Sequence, residues 1–473
     1  MAVLQSFILS SFNILFYLSI LLMLFSSSSN ESRASETQFH TLGISSQPSA
    51  TVCNSNIPDG MKNRQSSAVM EVVHSHGPCG GNSSERKGIS AADILRKDQL
   101  RVESINNCRG GGAGAVRLPL ISGHSLDSGS YIVTMGLGTP QIKQKLIFDT
   151  GSGLTWAQCK PCYLGCHRQK GEIFDPLKST SYSSIPCNSS DCSASLAGDD
   201  DSSTCFSSSK CIYSYNYGDG SMTIGYLSKD TLTIASKVAV PGFMFGCSQY
   251  ARGLFGLESG LVGLDRSNES LLSQTAIKFK KCFSYCLPAS LSSKGFLALG
   301  KDNYDNATKF TPLILNPEFP SYYFVELMSI AVEGKKLRFN PKAFTRSGGV
   351  LVDSGTVISR LPPVVYNSLS SKIKEVMIKE YNYRTAPSYS ILDTCFVRKE
   401  KDVATSVSFT FQNNVQVDLD ASNTFYAVNE SLICLAFAGN TDFTIFGNWQ
   451  QKTFELVYDV AGERLGFRPG MCA

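Results

Sequence analysis

A chain of 473 residues, 42% hydrophobic and 17% charged, is long enough for two or three separate cores. Its net charge of +4, from 43 basic and 39 acidic side chains, supplies no large basic field for nucleic acid or an anionic membrane. That balance describes a nearly neutral globular protein.

The first element is an apolar run from Phe7 to Phe25, followed by a polar, Ser-rich stretch from Ser26 into Asn30 and Glu31. This order reads as a secretory signal over residues 1–25. A signal anchor is the competing reading, because the run is nearly of membrane-spanning length with no Lys or Arg ahead of it. Residues 26–122, rich in Ser, Asn and Gly, read as a pro-segment. Within it Ser90-Ala-Ala-Asp93 forms a capping box that predicts a helix to Ile105. Leu95, Val102 and Ile105 fall near one face of that helix, with Arg96, Lys97 and Arg101 placed to reach a carboxylate-rich surface. Arg109-Gly-Gly-Gly-Ala-Gly-Ala115 suits a linker or cleavage region.

From Tyr131 the texture changes to short β-type runs separated by Gly, Pro, Asn and Ser. Examples are Tyr131–Met135, Lys145–Phe148, Thr231–Ile234, Phe243–Phe245, Tyr322–Val325 and Phe454–Tyr458. A long amphipathic helix is expected only over Pro363–Tyr381, with lesser ones near Leu271–Lys278. The fold class is therefore mostly β.

Thirteen of the sixteen cysteines lie after residue 150. With a signal sequence ahead of them, Cys159, Cys162, Cys166, Cys187, Cys192, Cys205, Cys211, Cys247, Cys286, Cys395, Cys434 and Cys472 read as disulfide partners in an oxidising compartment. Thirteen is odd, and Cys282, crowding Cys286, is the expected leftover thiol. A zinc knuckle at Cys159, Cys162, Cys166 and His167 is the rival reading, but no downstream pair completes a familiar four-ligand spacing. No metal or cofactor is expected. Sequons at Asn188, Asn268, Asn306 and Asn429 mark glycosylation on the secretory route.

The β-rich part repeats itself. One apolar strand runs into Asp149-Thr-Gly-Ser152 and another, Val350-Leu-Val352, runs into Asp353-Ser-Gly-Thr356. Each is followed later by two apolar residues and a Gly, at Leu261-Val-Gly263 and Ile445-Phe-Gly447, which describes a duplicated lobe. Two facing lobes would bring Asp149 and Asp353 to one cleft. Two carboxyls held close cannot both ionise freely, so the pair can hold one proton and serve as acid and base together. Gly151 and Gly355 would donate backbone amides to the carboxylates, Ser152 and Thr356 would hold their outer oxygens, and Thr150 and Ser354 would face across the lobe junction.

On these motifs the chain resembles the pepsin superfamily of aspartic proteases, and the likeness spans residues 131 to 471. The resemblance implies a bilobal acid-protease fold with an N-terminal lobe over 123–300, a Cys-rich insert at 158–211 and a C-terminal lobe over 301–473. Asn216-Tyr-Gly-Asp-Gly-Ser-Met-Thr223 resembles the flap hairpin of that family. It implies that Tyr217 and Gly218 lie over the cleft and that Trp156 bonds the tyrosine. The insert, Phe283-Ser-Tyr-Cys-Leu-Pro288, Phe454–Gly462 and the leader stretch His74-Ser-His-Gly-Pro-Cys79 look like the plant nepenthesin-like branch. Cys282 and the bulky Trp449 depart from that pattern.

Serine and cysteine mechanisms need a histidine base, and of the five histidines only His167 lies in the β-rich part that begins at Tyr131. Relatives of this branch also include protease-like inhibitors of cell-wall-degrading enzymes and chloroplast proteases that bind nucleoid DNA. Here both Asp turns, Tyr217 and Trp156 are present, and no Lys/Arg run forms a basic patch. The expectation is a secreted or vacuolar endopeptidase, with plastid targeting as the alternative. It would be made as a zymogen, act in acid on proteins or peptides, bind no nucleic acid, touch no membrane when mature, and be monomeric.

Overall fold

The sequence alternates polar and apolar residues where a sheet has one wet face and runs continuously apolar where both faces are covered. Met222–Ile234 alternates buried and half-buried positions along almost its whole length. Val350–Val352 is buried throughout, as is Gly260–Gly263, so each lies between layers. The computed structural model describes residues 52–54, 56–61, 64, 68–80, 90–107, 131–195, 209–217, 220–235, 238–253, 255–301, 304, 306–340, 342–344, 348–399, 402 and 405–472. The apolar run at 7–25, the linker at 109–115, Cys205 and Gly218 lie outside these residues. No helix among the described residues is long and apolar enough to cross a membrane.

The protein is mostly β, with two lobes. One sheet of fourteen strands continues from the first lobe into the second. The C-terminal strands Glu455–Asp459 and Arg464–Arg468 return to it, where Cys282↔Asp459 through Cys286↔Glu455 set the register. A disulfide between Cys286 and Cys472 fixes that return. The second lobe adds a five-stranded sheet and two four-stranded sheets. Against them packs the helix Pro363–Lys379, started by Pro at its first turn, with Val365, Tyr366, Leu369, Ile373, Val376 and Met377 buried along one stripe.

The leader is built into this sheet. Ala68–His74 is a strand hydrogen-bonded on one side to Lys294–Leu299, from Ala68↔Leu299 to Val73↔Lys294, and on the other to the start of Tyr131–Leu137. Ala68, Met70 and Val72 turn into the core, and burying side chains of the Val and Met size stabilises by roughly 1.5–3 kcal/mol each. A disulfide joins Cys53 to Cys79, bridging the leader across the turn that carries His74-Ser-His-Gly-Pro-Cys79. Arg64 pairs with the buried Glu455, tying the leader to the returning strands.

The leader helix spans Ala91–Asn107. The Ser90 hydroxyl accepts the Asp93 amide at 3.2 Å, as an N-cap does, and donates to the Asp93 carboxylate at 2.6 Å. Leu95, Val102 and Ile105 are buried. Leu95 joins a cluster with Val357 and Ile358, and Val102 and Ile105 join one with Phe324, Leu351 and Ile445. Asn106 exchanges two side-chain hydrogen bonds with Asn440 at the far end.

The remaining disulfides are Cys159–Cys247, Cys162–Cys166, Cys192–Cys211 and Cys395–Cys434. Cys187 is also disulfide-bonded. The Cys159 cluster is thus spent in bridges rather than gathered round a metal. Cys282 joins no disulfide and sits buried, 3.8 Å from the Tyr304 hydroxyl. Asn188, Asn268, Asn306 and Asn429 are all exposed.

Candidate active site

The two Asp turns are built alike. The strand Ile142–Asp149 runs parallel to Gly260–Gly263, pairing Asp149 with Gly263. Trp156–Gln158 then runs antiparallel to the same short strand. In the second lobe Val350–Val352 runs parallel to Thr444–Phe446, and Ser359–Leu361 contributes the antiparallel pair Arg360↔Ile445. Each Asp turn is therefore clamped by a strand threaded beneath it. Gly263 must lack a side chain, since a Cβ would lie 2.1 Å from the Gly153 carbonyl oxygen.

Hydrogen bonds at the two carboxyls match residue for residue. Asp149 Oδ1 accepts the Gly151 amide at 2.9 Å and Oδ2 accepts the Ser152 hydroxyl at 2.6 Å. Asp353 Oδ1 accepts the Gly355 amide at 2.9 Å and Oδ2 the Thr356 hydroxyl at 2.5 Å. Across the junction the Thr150 amide donates to Ser354 Oγ at 3.1 Å and the Ser354 amide to Thr150 Oγ1 at 2.9 Å. This reciprocal pair locks the turns to each other, and both carboxyls are almost wholly buried, at 2% and 1% exposure. The helix Asn448–Gln451 supports the second turn from below, with Asn448 donating to the Ser354 carbonyl and Gln451 to the Asp353 carbonyl.

Arg101 of the leader helix occupies the space between the carboxyls. Its Nη2 donates to Asp149 Oδ1 at 3.0 Å and to Asp353 Oδ1 at 2.9 Å. Nη1 donates to Asp149 Oδ2 at 3.1 Å, and Nε to Asp353 Oδ2 at 3.0 Å. One planar guanidinium thus satisfies all four carboxylate oxygens, a use of the fork that an ammonium could not match. Burial pushes the Asp149 carboxyl up, but the Arg101 charge, helped by Ser152 and Gly151, holds it below the usual carboxylate range. Burial pulls Arg101 down, yet the two carboxylates raise it well above its ordinary value.

Tyr217 stands at the turn between the strands Ile212–Asn216 and Met222–Ile234. Its hydroxyl accepts the Trp156 indole N–H at 2.6 Å. Phe255, which belongs to no motif of the chain, packs edge-on against both rings, at 4.8 Å from Trp156 and 5.6 Å from Tyr217. Trp449 finds room beside the second turn. Its indole donates to the Phe425 carbonyl, its ring lies 4.5 Å from Tyr426, and its amide donates to Val357.

Two further charged residues escaped the sequence reading. Asp98 lies three residues after Leu95 and four before Val102, within the buried stripe of the leader helix. A charge on such a face needs a partner, and Arg360 supplies it at 2.9 Å with both side chains fully buried. The signal was present as a charge out of place in an apolar stripe. Asp265 is the other. Burial pushes its carboxyl up to about 7, opposed by the Ser267 hydroxyl and amide and reinforced by Glu269 and Asp149.

The folded protein therefore keeps a proton on Asp265 that the unfolded chain releases near pH 4. That contribution to stability is whole below about pH 4 and lost as pH rises to about 7, for a total of roughly 4 kcal/mol. Asp265→Asn, which keeps the acceptor for Ser267 and cannot ionise, should flatten this fall. Thermal melts at mildly acid and neutral pH should show a higher melting temperature for the variant at neutral pH only. Equal shifts at both would assign the effect to packing.

Family models of the xylanase inhibitor N-terminal and C-terminal regions match residues 131–301 and 322–469. An aspartyl protease family protein of Arabidopsis thaliana is 40% identical over 93% of this chain and 94% of its own. The aspartic proteinase nepenthesin-2 of Nepenthes gracilis is 33% identical over 80% of this chain and 85% of its own. Among solved structures, that of edgp superposes with a TM-score of 0.62 at 21% identity, covering 86% of this chain and 96% of that one, a likeness of fold.

Proposed function

From the fact that the chain belongs to the plant, nepenthesin-type branch of the pepsin-like aspartic proteases, an aspartic-type peptide hydrolase family, we propose that Asp149 and Asp353 are its catalytic pair and that it is made latent. The observation that carries the reading is the convergence of two equivalent, buried carboxyls from the two lobes on a single guanidinium. Once Arg101 leaves, a water takes its place between the inner oxygens. One ionised carboxyl accepts a proton from that water as its oxygen attacks the peptide carbonyl carbon. The protonated partner donates to the carbonyl oxygen, giving a tetrahedral diol. Return of a proton to the amide nitrogen lets the C–N bond break. The acid and base belong to the pair, not to one named residue.

Tyr217, held by Trp156, closes over the substrate backbone in this reading. Residues 1–25 are removed as a signal and residues 26–122 serve as the inhibitory pro-segment. The disulfides and exposed sequons suit passage through the secretory route to the cell exterior or vacuole. Substrates are proteins or peptides, met by a monomer without nucleic acid.

The test is to express residues 26–473 in an oxidising host, acidify the product and follow cleavage of a denatured protein. Asp149→Ala and a statine-type inhibitor serve as controls. Cleavage confined to acid and abolished by both is the expected result. A rate that stays flat from about pH 3 to about pH 8 would rule out the shared-proton mechanism. A folded, processed chain that cleaves nothing would favour an inhibitor, the role named in the family models' description.

A further inference from the structure

Asp98 is held by more than its ion pair. The Val357 amide donates to Oδ1 at 2.5 Å, the Ile358 amide to Oδ2 at 3.1 Å, and Arg360 Nη2 to Oδ2 at 2.9 Å. These donors all come from the segment that leaves the Asp353 turn. The fork is fixed by the second lobe itself, since Arg360 Nη1 donates to the Ile358 carbonyl at 2.7 Å. Its backbone is paired with Ile445 of the strand beneath the turn. Among the described residues, Asp98 is the carboxylate that pairs with Arg360, and the Arg360 Nε is buried with no hydrogen-bond acceptor. Two backbone amides and a guanidinium converging on one carboxylate make an anion site whose walls survive removal of the leader.

We propose that Val357, Ile358 and Arg360 form a carboxylate-binding subsite of the cleft, filled by Asp98 in the latent chain and by an Asp or Glu side chain of the substrate afterwards. This rests on the protease reading above. Departure of the leader removes the acceptor shared by the Arg360 guanidinium and the two amides, and convergent donors that include a fixed charge bind a carboxylate more strongly than a neutral group. A substrate carboxylate restores all three bonds, whereas the amide of Asn would face donors with its own donor. The subsite lies close to the chemistry. Asp98 and Arg101 are three residues apart on one helix, so their Cβ atoms are about 5–6 Å apart. An extended peptide advances about 3.3 Å per residue, which puts the acidic side chain within about two residues of the scissile bond.

Peptides alike except for Asp, Asn or Ala at successive positions on either side of the scissile bond test this on the full chain after acid processing. They are assayed near pH 5, where a free Asp with a pKa of about 3.9 is ionised. At one position near the bond, kcat/KM should favour Asp over Asn by roughly tenfold to a hundredfold, as charge-assisted bonds allow. In Arg360→Gln that ratio should collapse towards one, and Arg360→Lys should recover part of it. Because the ratio is internal to each enzyme, it is insensitive to the fraction folded. A second measurement leaves the enzyme unaltered. A synthetic peptide of residues 90–107 should inhibit the processed wild-type enzyme, and the same peptide with Asp98→Asn should inhibit roughly tenfold to a hundredfold less well. Cleavage with no acidic preference at any position, or equal inhibition by the two peptides, overturns the subsite and leaves the protease standing. Failure to cleave any peptide overturns both.

Discussion

Replacing Arg101 with alanine in the full chain should unmask the cleft before any processing has occurred. The guanidinium makes four hydrogen bonds to two buried carboxyls, so its loss leaves like charges facing each other in the docked state. Breaking a buried ion pair by removing one partner typically costs about 3–5 kcal/mol. That magnitude raises the fraction of open cleft roughly a hundredfold to several thousandfold. The rest of the helix would still be held by Leu95, Val102 and the Asp98–Arg360 pair, so weakened docking rather than unfolding is expected. An internally quenched peptide added to the unprocessed chain should be cut without the lag of the wild type. Hydrogen exchange should show the Ala91–Asn107 amides less protected. Unchanged latency would mean that the helix blocks the cleft by bulk alone.

The same variant tests the pH dependence of release. Arg101 holds the Asp149 carboxyl below its ordinary range against the opposing effect of burial. A depressed carboxyl gives stability that is whole above the unfolded pKa, about 3.9, and lost as pH falls through the lowered folded value. On the proposed mechanism the carboxyl pair of the open cleft holds a proton, so docking Arg101 would expel it and acid would favour opening. Wild-type docking should therefore weaken steadily with acid. Docking of Arg101→Ala, which no longer demands two ionised carboxylates, should depend on pH much less.

Both Asp turns could be read from the chain because everything that defines each turn is local. The apolar strand, the Asp, the Gly and the hydroxyl residue are contiguous, and the threaded strands show themselves as apolar pairs ending in Gly. The bilobal β fold follows once the repeat is seen. What escaped was long-range pairing. Ala68-Val-Met-Glu-Val-Val-His74 carries a short apolar run that becomes a strand only because Lys294–Leu299 and Tyr131–Leu137 offer free edges on either side. Asp98 and Arg360 are separated by most of the protein, and neither motif names the other. The run at Tyr322–Val325 shrinks to a two-residue strand, Phe324–Val325, because the Tyr322 amide closes a turn on the Phe319 carbonyl instead of joining the ladder. The helix capping box, by contrast, needed only its own four residues.

Asp149→Asn should lower kcat by roughly a thousandfold to ten-thousandfold or more, since on the proposed mechanism it removes one member of a pair that supplies an acid and a base in the same step. Asparagine has the same shape and can still accept from Gly151 and Ser152, so the turn should keep its geometry. What it cannot do is ionise or share the proton. Asp353→Asn should cost a similar factor, because the hydrogen bonds around the two carboxyls match one for one. The informative variant is the double one. If the carboxyls act as a unit, the doubly substituted enzyme should fall little further than either single, and the residual rate should have lost its acid optimum. Folding can be checked by inhibition-independent means, such as the melting temperature and intact Cys286–Cys472 and Cys395–Cys434 bridges. Losses that multiply would show that Asp149 and Asp353 work in separate steps. In that case the shared proton, and with it the explanation for why Arg101 must neutralise both at once, would have to be abandoned.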